Sequence, residues 1–150
     1  MKAKRERGFV LDASVALAWA FEDETSAYTE AVLDALTTGQ AFVPTIWPLE
    51  ISNALVVAER RGRFRAADTV RFLTLLKALP IQTVAEARDR LWGEVVCLAR
   101  EQDLSVYDAT YLDLAMRLEL PLATQDERLA QAAQRCGASV PAMRAVAENA

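Results

Sequence analysis

The sequence predicts a three-layer α/β/α domain built on a parallel sheet, and three observations carry that expectation. Short apolar runs such as Phe9-Val10-Leu11 and Ala41-Phe42-Val43 are too brief for helices and apolar on both faces, as strands buried in a parallel sheet are. Longer stretches with helical spacing separate these runs. Acids follow directly on strands, notably Asp12 and Asp126, at the edge where open α/β sheets bind their ligands.

Each element follows in order. Phe9-Val10-Leu11 is the first strand, and the apolar run Val15 to Phe21 suits a helix. A second helix starts near Ser26, repeats Ala27, Ala31, Val32, Ala35 and Leu36 at helical spacing, and stops at Gly39. Ala41-Phe42-Val43 is the second strand, ended by Pro44. Pro48 fits the first turn of a third helix, where its missing N–H costs nothing, and that helix runs out in Arg60-Arg61-Gly62. A fourth helix spans about Phe64 to Leu79, with Ile81-Gln82-Thr83-Val84 as third strand. The fifth helix covers about Ala85 to Gln102. After a short connection, Asp108 opens a sixth that ends at Leu118. Pro121-Leu122-Ala123-Thr124 is the fourth strand, Asp126 opens a seventh helix to about Gln134, and Ala138-Ser139-Val140 is a weak fifth strand.

The length of 150 residues suits one domain over 1–150, with residues 1–7 as a basic tail and about 141–150 as a frayed end. A hydrophobic fraction of 53% with interspersed charge excludes a disordered chain. No apolar run approaches the ~20 residues of a membrane span, and no signal-peptide core follows the basic start. The expectation is a soluble cytoplasmic protein with no membrane partner. Cys97 and Cys136 lie in helical patterns without metal-type spacing and are read as buried free thiols.

The chain contains no histidine. That removes the commonest general base, the commonest transition-metal ligand and any histidine-based triad. A hydrolase with this composition must activate water with carboxylates or with a metal on oxygen ligands, which favours Mg²⁺ or Mn²⁺ over zinc. The formal charge of −4 does not by itself indicate a nucleic-acid partner, yet setting aside four clustered acids leaves the remainder neutral.

Four acids stand out. Asp12, Glu50 and Asp126 lie just past the ends of strands, and Asp108 begins the stripe that Leu112 and Ala115 bury. Each has an ordinary alternative: an N-cap for Asp12, Asp108 and Asp126, and a helix-dipole role for Glu50. Brought together they repel unless cations lie between them, and such a cluster can activate water for in-line displacement at phosphorus. Asp113 lies about 140° round the helix from Asp108 at ~100° per residue and has Arg117 at i+4, so it is assigned to the solvated face.

These residues resemble the blocks of a PIN-domain ribonuclease, and specifically of a VapC-like toxin from a type II toxin–antitoxin system. The blocks are Val10-Leu11-Asp12-Ala13-Ser14, Glu50-Ile51-Ser52-Asn53-Ala54-Leu55, Tyr107-Asp108-Ala109-Thr110-Tyr111-Leu112-Asp113-Leu114-Ala115 and Leu122-Ala123-Thr124-Gln125-Asp126-Glu127-Arg128-Leu129. All four occur in the family's order, and the likeness covers Phe9 to Val140. The resemblance implies a five-stranded parallel sheet in order 3-2-1-4-5 and Mg²⁺- or Mn²⁺-dependent cleavage of RNA. It also implies a homodimer neutralised by a VapB-like antitoxin. It makes Asp12, Glu50, Asp108 and Asp126 the metal-holding catalytic acids. It gives Ser14, Asn53 and Thr124 the task of orienting water or ligands behind them. The antitoxin would lie near the helices 24–36 and 48–60, with Trp19, Phe21 and Trp47 as anchors or as core.

Two other acid-and-Mg²⁺ designs fit poorly. A receiver-type phosphoacceptor wants paired acids after the first strand and a lysine after a late one, but Asp12 stands alone and Lys77 is helical. A haloacid-dehalogenase-like phosphatase wants a second Asp where Ser14 stands. The remaining alternative is a non-catalytic dimer of the same fold, an interaction module whose acids are caps. The flanking arginines Arg60, Arg61, Arg63 and Arg65 are either a solvated corner or a phosphate-steering patch.

Overall fold

The computed structural model describes residues 8–138. Its core is a parallel sheet of four strands among those residues, β1 (Phe9–Leu11), β2 (Ala41–Pro44), β3 (Ile81–Val84) and β4 (Leu122–Ala123), in order β3-β2-β1-β4. This is the expected order without its last member. The fifth strand, anticipated at Ala138-Ser139-Val140, involves residues 139 and 140 outside the described range, and Ala138 forms a bend. The basic tail and the frayed end also lie outside that range.

Every residue of the central strands is buried. Phe9, Val10 and Leu11 are all at most 1% exposed, and β2 is buried along its length. β3, at the sheet edge, leaves Gln82 and Thr83 exposed. Register sets the site: Phe9 pairs with Ala41 on one side, and Leu11 pairs with Ala123 on the other. All C-terminal strand ends therefore open onto one edge.

Helices flank the sheet. Around α1 (Ala13–Ala18) pack α2 (Ala27–Ala35) and α3 (Ile46–Arg60), and α4 (Ala66–Ala78) leads into β3. Pro48 falls in the first turn of α3, where no intrahelical donor is needed. Ser26 caps α2, accepting from the Thr29 N–H at 3.2 Å, and Gly62, at φ 73°, makes the turn between α3 and α4. The predicted fifth helix is α5, running from Arg88 to Gln102, but it is not uniform. Arg88–Arg90 and Val96–Gln102 are α-helical, and Leu91–Val95 forms a π-helical turn between them. α6 (Val106–Leu118) lies against β1 and β2 with α5 and α7 (Glu127–Arg135) beside it, burying every residue from Ala109 to Ala115.

Three sequence expectations change. Asp113 is not on a solvated face: it is 5% exposed, because α5 covers that side of α6. Arg90 clamps it with two bonds, Nε to Oδ2 at 2.9 Å and Nη2 to Oδ1 at 2.8 Å, and Arg117 adds Nε to Oδ2 at 3.0 Å. The i+4 pair with Arg117 is present, as part of a buried network. Burial alone would raise the Asp113 pKa, but the two guanidinium groups outweigh it and hold the carboxyl below its ordinary range. Cys97 and Cys136 are free thiols, but Cys97 is exposed and Cys136 only partly buried. Asp108 does not cap its helix. Ser105 does, and Asp108 occupies the third position.

Among the aromatics, Phe21 and Trp47 are core, and Trp19 is partly buried with its indole N–H donated to the Thr29 carbonyl at 2.7 Å. Phe21 packs on Phe64 and lies under the Arg63 guanidinium, 4.3 Å from the ring centre.

Candidate active site

β1 ends at Leu11 and α1 starts at Ala13, so Asp12 sits at the N-cap, yet its carboxylate does not cap the helix. The neighbouring strand holds it instead. With Leu11 paired to Ala123, Asp12 and Thr124 emerge side by side, and the Asp12 N–H donates to the Ala123 carbonyl at 2.9 Å. Thr124 Oγ1 and Ser14 Oγ each donate to Asp12 Oδ2 at 2.7 Å. Both hydroxyls are themselves fixed from behind. Thr124 Oγ1 accepts the Asp126 N–H at 3.0 Å, and Ser14 Oγ accepts the Gln125 N–H at 3.1 Å. The carboxylate is thus locked by a relay of short bonds. Burial raises the Asp12 pKa; the Thr124 and Ser14 bonds offset part of that, and nearby Asp126 adds to it.

Glu50 projects from the second turn of α3 and is half-buried. Its Oε1 accepts from Tyr111 Oη of α6 at 2.5 Å, tying the two helices together beneath the pocket. Burial raises the Glu50 pKa, the Tyr111 bond lowers it, and the charges of Asp12 and Asp108 raise it further. Asp108, in the first turn of α6, is raised by burial and then by Asp12 and Asp126, with the Ser105 bond and Arg128 acting against. The Tyr111 hydroxyl is pushed far up, first by burial and then by its bond to Glu50, so it remains a donor. Asp126 is the one acid that behaves as an ordinary cap, its Oδ1 accepting the Leu129 N–H at 3.1 Å.

The four acids come from four elements and share one field: Asp12 bears on Glu50 and Asp108, and Asp126 on Asp12 and Asp108. Among the described residues no three His, Cys, Asp or Glu side chains converge as a ready metal cage. The donors are carboxylate oxygens only, the chemistry of a hard cation such as Mg²⁺ or Mn²⁺, and burial with mutual repulsion raises the pKa of three of these acids, a penalty that such a cation would offset. The residues fit such an ion.

Of the three supporting residues expected from the sequence, Ser14 and Thr124 contact Asp12 directly. Asn53 does not join them: it is exposed on α3 and makes no side-chain hydrogen bond among the described residues. Sequence reading missed Tyr111 and Gln125. Tyr111 was legible as the residue three after Asp108, on the same helical face. Gln125 lies between Thr124 and Asp126; nothing in its type signals its backbone role. A second tyrosine, Tyr28, stands near Asp12 and the Thr124 backbone. Its pKa is pushed up to about 12, chiefly by burial, and its hydroxyl finds no hydrogen-bond partner among the described residues.

A helix-flanked parallel sheet with carboxylates gathered at the ends of β1, β2 and β4 is the arrangement of one known class. The model of the PIN domain matches residues 9–135, and the chain belongs to the PIN-domain family. It is 32% identical over 127 residues to VapC ribonuclease Mb0985 of Mycobacterium bovis and to ribonuclease VapC9 of Mycobacterium tuberculosis. Each match covers 83% of this chain and 91% of the relative. The crystal structure of PAE2754 from Pyrobaculum aerophilum superposes with a TM-score of 0.67 at 25% identity, covering 92% of this chain and 96% of that one. The VapC-like character read from the four sequence blocks is thereby confirmed.

Proposed function

We propose that this chain is a metal-dependent ribonuclease and the toxin of a toxin–antitoxin pair. The observation that carries the reading is the state of Asp12, buried at the sheet edge, facing three other acids, and held by two hydroxyls in place of a cap. Mg²⁺ or Mn²⁺, held by Asp12, Glu50, Asp108 and Asp126, would neutralise the cluster, polarise the phosphodiester and supply activated water. The protein's own contribution is positional. Ser14 and Thr124 fix the Asp12 carboxylate, and Tyr111 fixes Glu50, so these acids need little reorganisation as charge develops at phosphorus. With no histidine in the chain, no imidazole serves as base.

The names of the VapC relatives support RNA as the substrate class, and the resemblance of the four sequence blocks to VapC-like toxins supports a VapB-like antitoxin as partner. A homodimer in the cytoplasm belongs to the same reading; no helix among the described residues is long and apolar enough to cross a membrane. An antitoxin arginine entering the pocket would form a fork of hydrogen bonds to the carboxylates in place of a metal. Inhibition by an antitoxin peptide should then weaken as Mg²⁺ rises.

The test is cleavage of RNA with Mg²⁺ or Mn²⁺, abolished by chelation and by Asp12→Asn, together with calorimetric titration of the metal into both proteins. Metal binding and cleavage that survive Asp12→Asn would refute the site. The interaction-module alternative has one acid in its favour, Asp126, which does cap α7.

A further inference from the structure

At the mouth of the pocket, Tyr107 stands immediately before Asp108 and is 61% exposed. It lies one turn ahead of Tyr111 on the same side of α6, and Tyr111 reaches across to Glu50 of α3. Helical side chains lean toward the N-terminus of their helix, so the Tyr107 ring extends beyond Tyr111 toward the end of α6 that carries Asp108. It belongs to neither buried cluster, and its phenol makes no hydrogen bond among the described residues. Across the bond that joins the helices, the residue before Glu50 is Leu49, also exposed.

The pocket poses a difficulty for an RNA substrate. Its acids repel a phosphate backbone unless a cation lies between them, and such a cation would hold the reacting phosphate alone. The nearby cation, Arg128, is engaged by the Asp103 carboxylate at 2.8 Å and carbonyl at 2.9 Å. An uncharged part of the neighbouring nucleotide can add affinity there without meeting the acids. Every base has a π-face that can stack on an aromatic ring, and only an unpaired base can offer it.

We propose that Tyr107 is the platform on which an unpaired base next to the scissile phosphate stacks. The inference rests on the ribonuclease reading above. Stacking would also fix the rotation of that nucleotide, placing its phosphate over Asp12 and Asp108. Trp92 provides the comparison, since it is 70% exposed but belongs to α5, which packs on the Asp113 side of α6.

The experiment measures binding of a short unstructured RNA, and of the same sequence closed in a duplex, in the Asp12→Asn background where nothing is cut. Tyr107→Ala should weaken single-strand binding at least about fivefold, the lower bound for losing one base–aromatic stack, and leave duplex binding unchanged. Tyr107→Phe should bind like the parent, because the ring and not the hydroxyl acts, and Trp92→Ala should also bind like the parent. Melting curves confirm that these surface variants fold. Tyr107→Ala binding single strands as tightly as the parent, losing both RNAs equally, or no binding of RNA by the parent overturns the platform. A wild-type protein that binds single strands through Tyr107 but does not cut them overturns the nuclease reading and leaves the platform standing.

Discussion

Asp113→Asn is the sharpest test of the packing that holds the site. The substitution keeps the shape of the side chain and removes a charge that faces Arg90 and Arg117. Removing one partner of a buried ion pair costs about 3–5 kcal/mol. The Asp113 side chain is 7% exposed, but those of Arg90 and Arg117 keep 31% and 26% of their surface in water. Solvent recovers part of the loss, and an amide oxygen still accepts one bond, so about 2–3 kcal/mol is expected. At roughly 2–4 °C per kcal/mol for a chain of this size, Tm should fall by about 5–10 °C. The pH dependence has a definite sign. Asp113 is held below its ordinary 3.8, so its stabilisation is present above that value and is lost as pH falls through the folded pKa. The gap between wild type and variant should be full at neutral pH and close in strong acid. Melting followed by circular dichroism at both pH values measures it. A variant that melts with the wild type at neutral pH would show that the clamp contributes nothing net.

The remaining predictions concern the pocket and its surroundings. Asp12→Asn should raise Tm in metal-free buffer at neutral pH: a carboxyl with a raised pKa stabilises below its unfolded value, and that stability is lost as pH rises through the folded one. Its advantage should vanish in acid, and a variant less stable than wild type at neutral pH would contradict the burial argument. Tyr111→Phe should weaken metal binding by about 10-fold or more, as loss of a bond behind a ligand does; unchanged calorimetric affinity would remove Tyr111 from the site. Arg63 is engaged by Asp23 and Glu24 at 3.3 Å and by the Phe21 ring. Arg63→Ala should cost about 1 kcal/mol of stability without changing RNA affinity. A uniform loss of affinity with a shallower salt slope would instead restore phosphate steering at this corner.

The sequence by itself determined the alternation of elements and the chemistry on offer. Strands such as Phe9-Val10-Leu11 are legible because a strand buried on both faces admits only apolar residues, and Ser26 and Pro48 mark helix starts by local bonding alone. The absence of histidine and the acids past strand ends pointed to oxygen-ligand chemistry before any contact was known. Neighbours across the chain were not legible. Asp12 could have been a cap; the parallel register of β1 with β4 decided otherwise by bringing Thr124 to its carboxylate across 112 positions. Asp113 read as a surface residue because helical periodicity gives the angle between side chains but not what covers each face, and α5 covers this one. Asn53 shows the converse, a residue placed well in sequence that the rotation of α3 leaves in solvent. Local patterns record what a segment requires of its immediate surroundings, whereas the pairing of carboxylates with hydroxyls and guanidinium groups depends on strand register and helix rotation, which only the folded chain fixes.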